Sequence, residues 1–288
     1  MGDLRGRSFS VDASDDLMSA SRQAVLLLTH IESPAIGRHF ERLRRETAGL
    51  IDAFFCLHQL SPTRPRLKTD QIVTTAAGAR LLPQRHAERL NRGLPYNEGY
   101  ADLIWIAACL HPSLAQYEYL WMVEYDVDFA GDWSCFFART MESRADLLAT
   151  SIFPRAHSPH WANWLRFNCP SEVAFDFQLR MFAPIARFSR ELLHHYRDTV
   201  RDARWQGHFE ALVPTVANYQ GLRIEDLGGS GPFCPPAWHM KNYRNSPDTP
   251  SGSPGTFVFR PVTHTAYFHE APDQFGERDL LYHPVKVR

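Results

Sequence analysis

The sequence has almost no net charge, since 31 lysines and arginines against 32 aspartates and glutamates leave −1 over 288 residues. Such a balance provides no whole-molecule field to gather nucleic acid or anionic membrane, so no nucleic-acid partner is expected and an anionic ligand must be bound locally. Cysteine is scarce and odd in number: Cys56, Cys109, Cys135, Cys169 and Cys234 are scattered, with no pair two apart. That spacing excludes a disulfide framework or zinc cluster and reads as reduced thiols in a cytoplasmic protein. Long apolar runs are also missing. No segment approaches the roughly 20 residues of a membrane span, and the polar start MGDLRGRSFSVDASDD contains no apolar stretch of signal-peptide kind. A soluble chain without a transmembrane segment is expected, and no internal repeat interrupts it.

What is present is an α/β pattern. Residues 24–29 (AVLLLT) form a short apolar run typical of a strand buried on both faces, and Ser33-Pro34 then supplies an N-cap followed by proline at the first helical position. Ile36, Phe40, Leu43, Thr47 and Leu50 fall on one helical face, and residues 51–57 (IDAFFCL) give a second buried strand. Strand, helix, strand is a parallel unit with a right-handed crossover. The order from Ser61 to Pro95 is not legible. Asn97 then suits the cap of a helix carrying Tyr100, Leu103, Ala107 and Leu110. A strand over residues 117–123 (YEYLWMV) runs into Glu124, Asp126 and Asp128, and Trp133, Phe136, Phe137 and Thr140 have helical spacing. Residues 145–152 (ADLLATSI) read as a further strand, and helical segments are expected through Phe175 to Tyr196 and around Phe209 to Tyr219. From Gly228 onward glycine, proline and serine dominate. The expected organisation is a flexible tail over 1–20, an α/β domain over 21–227 with a mostly parallel central sheet flanked by helices, and a loop-rich segment over 228–288 packing on the same domain.

In an open parallel sheet, ligands sit outside the carboxyl ends of the strands. Thr29-His30 and the acidic stretch from Glu124 to Asp128 both lie at such ends. Three clustered carboxylates repel one another, whereas Mg²⁺ or Mn²⁺ takes oxygen ligands and can share them with a diphosphate. A solvated strand-end loop capping the next helix is the plain structural alternative. An Asp-x-Asp phosphatase is a further one, although its motif normally follows the first strand and continues to Thr or Val, where Ala130 stands here.

A strand ending in Glu-x-Asp, behind an amino-terminal unit that opens with Leu-Thr-His, resembles the metal and sugar-nucleotide site of GT-A glycosyltransferases. The stretches YLWMVEYDVDFAGDW, ARFSRELL, GHFEALVPT and LYHPVK are similar to a mainly fungal domain of unknown function with glycosyltransferase character. The resemblance implies a GT-A-like fold that moves a sugar from a nucleotide-diphosphate donor to a hydroxyl-bearing acceptor, whether glycan, lipid-linked or small molecule. It places Glu124 and Asp126 on the two acids of the metal motif, with Asp128 as an additional acid. His283 suits a metal ligand and Lys286 a phosphate contact, with a place on the surface of the tail as the structural alternative for each, while Thr29 and His30 join the donor site. Glu in the first place of the motif departs from the commonest form and leaves a metal-free scheme with basic side chains open. Glu210 stands where inverting members carry their general base, just ahead of a helix beginning near Val213; a first-turn glutamate favouring the helix dipole is its structural alternative. Trp161, Trp164 and Phe167 suit either core packing or a sugar platform, and Arg38, Arg42, Arg44 and Arg45 read as a solvated helix face. A non-catalytic nucleotide-sugar-binding protein of the same fold is the rival reading.

Overall fold

A computed structural model describes residues 22–58, 72–80, 82, 84–91, 101–244, 255–258 and 274–286. Strand β1 (Gln23–Thr29) is buried throughout, as its unbroken apolar run requires. Helix α1 (Pro34–Glu46) starts where the sequence indicates: the Ser33 hydroxyl accepts the Ile36 N–H at 3.2 Å, with proline in the first turn. Its buried face is Ile36, Phe40 and Leu43, while Thr47 caps the end and Leu50 lies beyond it. There follow β2 (Asp52–Leu57), β3 (Ile72–Thr74), α2 (Thr75–Ala79), α3 (Gln84–Asn91) and α4 (Ala101–Cys109). The expected Asn97 cap lies outside the described residues. The chain continues through β4 (Tyr119–Glu124), β5 (Asp128–Phe129), α5 (Trp133–Thr140), β6 (Leu147–Pro154), β7 (Leu179–Ser189), α6 (Arg190–Thr199), α7 (Phe209–Tyr219), β8 (Ile224–Asp226) and β9 (Leu281–Tyr282).

Seven strands form one sheet in the order β3-β2-β1-β4-β7-β6-β8. Every strand runs parallel to β1 except β7, which pairs antiparallel with both β4 and β6. Alternating side chains of β1 enter different layers: Ala24, Leu26 and Leu28 meet α4, α6 and α7, whereas Val25 and Leu27 meet α1 and α5. The architecture is therefore α/β, a mostly parallel sheet between two helical layers. No helix among the described residues is long and apolar enough to cross a membrane.

Two local expectations are corrected. The helix read from Phe175 onward is instead the long strand β7, with α6 starting only at Arg190. Most of β7 is buried on both sides, so the period-two alternation that marks a half-exposed strand is visible only in its first residues. Helix α7 begins at Phe209, capped by His208, so Glu210 lies in its first turn and Pro214 inside it. From the segment after Gly228, Tyr243, Phe257 and Leu281 join the layer of α1 and α5, and β9 pairs antiparallel with β5.

Candidate functional site

The central strands β1 and β4 deliver their carboxyl ends side by side, held together by the Tyr125 N–H donating to the Leu28 carbonyl at 2.9 Å. Leu120 and Met122 face the α4, α6 and α7 layer, and the two-residue period sends Glu124 to that same side. The chain then turns through Tyr125 and Asp126. From the far end of the sequence, the segment after β9 crosses this turn, and the Val285 N–H donates to the Asp126 carbonyl at 2.7 Å.

Three of the sequence-derived candidates converge here. One ligand atom from each of Glu124, Asp126 and His283 falls within 4.8 Å of the others. The His283 ring is oriented by an Nδ1 hydrogen bond to the Val258 carbonyl at 2.8 Å, and because a carbonyl only accepts, Nδ1 carries the proton. In the neutral ring Nε2 is then the lone-pair nitrogen, and it lies 3.7 Å from Asp126 Oδ1. That oxygen is buried and has no hydrogen-bond partner. An imidazole fixed through its other nitrogen beside an orphaned carboxylate oxygen fits a divalent metal with mixed oxygen and nitrogen ligands. The Asp126 Oδ2 atom is paired with the Lys286 ammonium, which also lies over the Tyr125 ring at 5.1 Å.

Charge in the site is poorly compensated. Burial pushes the Glu124 carboxyl well above its usual range, and the charges of Asp126 and Glu210 push it further, against the pull of Lys286. A cation at this place would relieve both effects.

Asp128 does not join this group. Its side chain turns under α1, where Oδ1 accepts from Arg42 Nη1 at 2.7 Å and from the Phe129 N–H at 2.7 Å. Arg42 also donates to Glu46, to the Phe129 carbonyl and to the Gly131 carbonyl, so it ties α1 to the acidic turn and is not part of a solvated face. Thr29 is fully buried, and its hydroxyl closes the turn after β1, donating to the Ile31 carbonyl at 2.6 Å and accepting the Ile31 N–H at 3.1 Å. His30 reaches the site edge, where its ring stands against Tyr125 with centroids 5.6 Å apart. Burial lowers its pKa, while Asp126 acts in the opposite direction.

A cleft of about 310 Å³ opens beside the acidic turn, lined by Ile31, Ser33, Ile36, His39, Tyr125 and Lys286 among others. Its wall includes the first turn of α1, and the buried Nε2 of His39 has no hydrogen-bond partner.

Glu210 approaches from the opposite side, close enough for its charge to act on Glu124. It is buried at the start of α7, where Oε1 accepts the Ala183 N–H from β7 at 3.1 Å and Oε2 lies 3.6 Å from His208 Nδ1. Burial pushes its pKa up to about 8, with the Ala183 hydrogen bond and the Arg180 guanidinium working in the other direction. His208 accepts the Glu210 N–H through Nδ1, and burial brings its pKa down to about 4, so its ring is neutral near pH 7. Trp161 stands against His208 and Trp164 in edge-on contacts at 5.9 and 5.2 Å. Arg180, which carries no sequence motif, lies in the same cluster with its guanidinium over the rings of Phe153 and Trp161.

Comparison with family models and with curated proteins finds no match. Among solved structures the chain is similar to the mannosyltransferase Ktr4p from S. cerevisiae in complex with GDP, at 13% identity and TM-score 0.39, covering 74% of this chain and 71% of that one. It is also similar to core-mannan synthase A (CmsA/Ktr4) from Aspergillus fumigatus in an Mn/GDP form, at 12% identity and TM-score 0.38, covering 86% and 88% of the two chains.

Proposed function

We propose that this chain is a glycosyltransferase of GT-A type that moves a sugar from a nucleotide-diphosphate donor to a hydroxyl-bearing acceptor, with inversion at the anomeric carbon. The observation that carries the reading is the convergence of Glu124, Asp126 and His283 at the carboxyl end of a central parallel strand, beside an open cleft. Glu124, Asp126 and His283 would hold Mn²⁺ or Mg²⁺, and such an ion supplies charge neutralisation for a leaving diphosphate. The nucleoside would occupy the cleft between α1 and the acidic turn. Lys286, now paired with Asp126, is within the same cluster and would exchange that partner for a phosphate oxygen.

Glu210 would accept the proton of the attacking hydroxyl as that oxygen bonds to the anomeric carbon and the bond to the diphosphate breaks on the opposite face. A base works best with a pKa near the operating pH, and burial has brought this carboxyl to about 8. The Ala183 N–H fixes one carboxyl oxygen, which leaves the other for the acceptor.

Calorimetry with UDP, GDP, CMP and dTDP, with and without Mn²⁺, tests the donor site. Tight binding of one nucleoside diphosphate, strengthened by Mn²⁺, is the expected result, and the absence of any nucleotide binding would sink the reading. With the matching sugar nucleotide and an acceptor, Glu210→Gln is expected to slow transfer by roughly 10²- to 10⁴-fold while leaving donor affinity within a few-fold. Proton NMR of the fresh product should show the inverted anomer; a retained configuration removes Glu210 from the role of base.

A further inference from the structure

Arg180, Arg187 and Arg190 lie along β7 and the start of α6, and in two of them the terminal guanidinium nitrogens are taken up by backbone carbonyls. Arg187 donates to the carbonyls of Thr140, Ser143 and Ala145, and Arg190 to those of Cys109, Leu114 and Tyr117. Both hold loops to the sheet. Arg180 is different. Its Nε is buried without a hydrogen-bond partner, as is that of Arg187, but among the described residues its terminal nitrogens make no hydrogen bond or ion pair either. What it has is aromatic support, with the Phe153 ring centroid at 5.4 Å and that of Trp161 at 5.9 Å.

A partly buried guanidinium with no protein acceptor keeps its terminal donors available to a ligand, and an anionic acceptor that takes them up offsets the cost of its partial desolvation. Arg180 also lies at the end of the sheet that carries the acidic group. It is paired with Phe153 at the edge of the sheet where β6 ends and β7 begins, the same edge at which β4 delivers Glu124, and it acts electrostatically on Glu210. Arg155 adds a second cation nearby, bonded to Gln178 Oε1 at 2.7 Å and lying over Trp164 and Phe175. Trp161 is partly exposed, and an indole ring is of a kind that packs against the apolar side of a sugar.

We propose that Arg180 and Trp161 form an acceptor subsite for a carbohydrate that carries a carboxylate or a phosphate. The planar fork of Arg180 matches either anion in a bidentate manner, while Trp161 supports the ring and Glu210 lies close to the hydroxyl to be glycosylated. A neutral sugar would fill some donors but leave the charge uncompensated. The inference rests on the glycosyltransferase reading and adds the chemical class of the acceptor.

The test is saturation-transfer NMR on the full chain with GDP or UDP and Mn²⁺ present, using methyl α-glucopyranoside, its 6-carboxylate and its 6-phosphate as probes. At least one anionic probe is expected to bind about tenfold or more tightly than the neutral glycoside, the worth of one charge-assisted hydrogen bond. Arg180→Gln should remove the preference. Arg180→Lys serves where that variant does not fold, since it keeps the charge and loses the fork, and it should weaken the anionic probe by several-fold. Equal binding of all three probes overturns the proposal, as does a preference that survives in Arg180→Gln or is undiminished in Arg180→Lys. If nucleotide with Mn²⁺ binds while no anionic preference appears, only this inference falls; if no nucleotide binds, the glycosyltransferase reading falls with it.

Discussion

Asp126 and Asp128 leave the same strand and stand on either side of Val127, yet their surroundings assign them different work. Asp128 is held by its protein partners: Oδ1 accepts from Arg42 and the Phe129 N–H, while Oδ2 faces His39 Nδ1 at 3.6 Å, beyond hydrogen-bond distance. Asp126 keeps one oxygen buried and unpartnered, with an imidazole held at 3.7 Å and a lysine on its other oxygen. The first arrangement joins a helix to a turn. The second stores unmet electrostatic demand, which is costly in a folded chain unless something binds there. Identical side chains thus differ in function through the elements that reach them: α1 for Asp128, and the segment after β9 for Asp126.

Removing each carboxylate separates the two roles. Asp126→Ala should abolish Mn²⁺-dependent nucleotide binding, by more than the roughly 10- to 100-fold that outer-shell changes cost, while the melting temperature stays near that of the parent. Asp128→Ala should do the reverse. It leaves Arg42, only 20% exposed, without its buried carboxylate, which costs about 3 kcal/mol and lowers the melting temperature by roughly 6–12 °C in a chain of this size. Calorimetry and thermal melts on both variants check the contrast. Lost nucleotide affinity in a well-folded Asp128→Ala protein would mean that the division drawn between the two aspartates is wrong.

His283 sharpens the same contrast with a smaller effect. Replacing it with alanine removes the only nitrogen of the Glu124, Asp126 and His283 group. Mn²⁺-dependent affinity should fall by about tenfold or more, and the preference for Mn²⁺ over Mg²⁺ should shrink, because imidazole favours transition metals over the harder ion. Titrating nucleotide in the presence of each metal measures both changes. An unaltered metal preference would leave His283 as a ring that packs against Phe182 and Phe257.

The amino-terminal half of this arrangement is readable from local signals. The apolar run of β1, the Ser33-Pro34 start of α1 and the acids after YLWMV each depend on neighbours within a few residues. The donor-side group is legible only in part, since Asp126 and Lys286 are separated by 160 positions and no local pattern announces their contact. Arg42 looked like one member of a basic helix face because its partner Asp128 lies 86 residues away. Arg180 gave no sequence signal at all: it sits in a stretch read as helix, and its meaning depends on Phe153 and Trp161 from other elements. Strand β7 was misread for a related reason, since burial on both faces removes the periodicity that distinguishes strand from helix.

Glu210 supplies a test that needs no substrate. Its carboxyl titrates near pH 8 in the folded protein, against an ordinary value of 4.5. The folded chain therefore holds a proton that the unfolded chain releases, so stability falls as pH rises from about 4.5 through about 8 and is flat beyond. Glu210→Gln cannot ionise but still offers an oxygen to the Ala183 N–H. In a metal-free buffer the variant should match the parent near pH 5 and exceed it by pH 9. Each pH unit of that window is worth at most about 1.4 kcal/mol. Because buried sites relax around a charge, the expected gain is on the order of 2 kcal/mol, or roughly 4–8 °C in melting temperature. Adding Mn²⁺ and the nucleotide that binds best should narrow the gap, since positive charge at Glu124 and Asp126 would make an ionised Glu210 less costly. A melting-temperature difference that is independent of pH would show that Glu210 ionises in the folded protein much as it does in the unfolded chain, and would take away the physical basis for treating it as a base poised near neutrality.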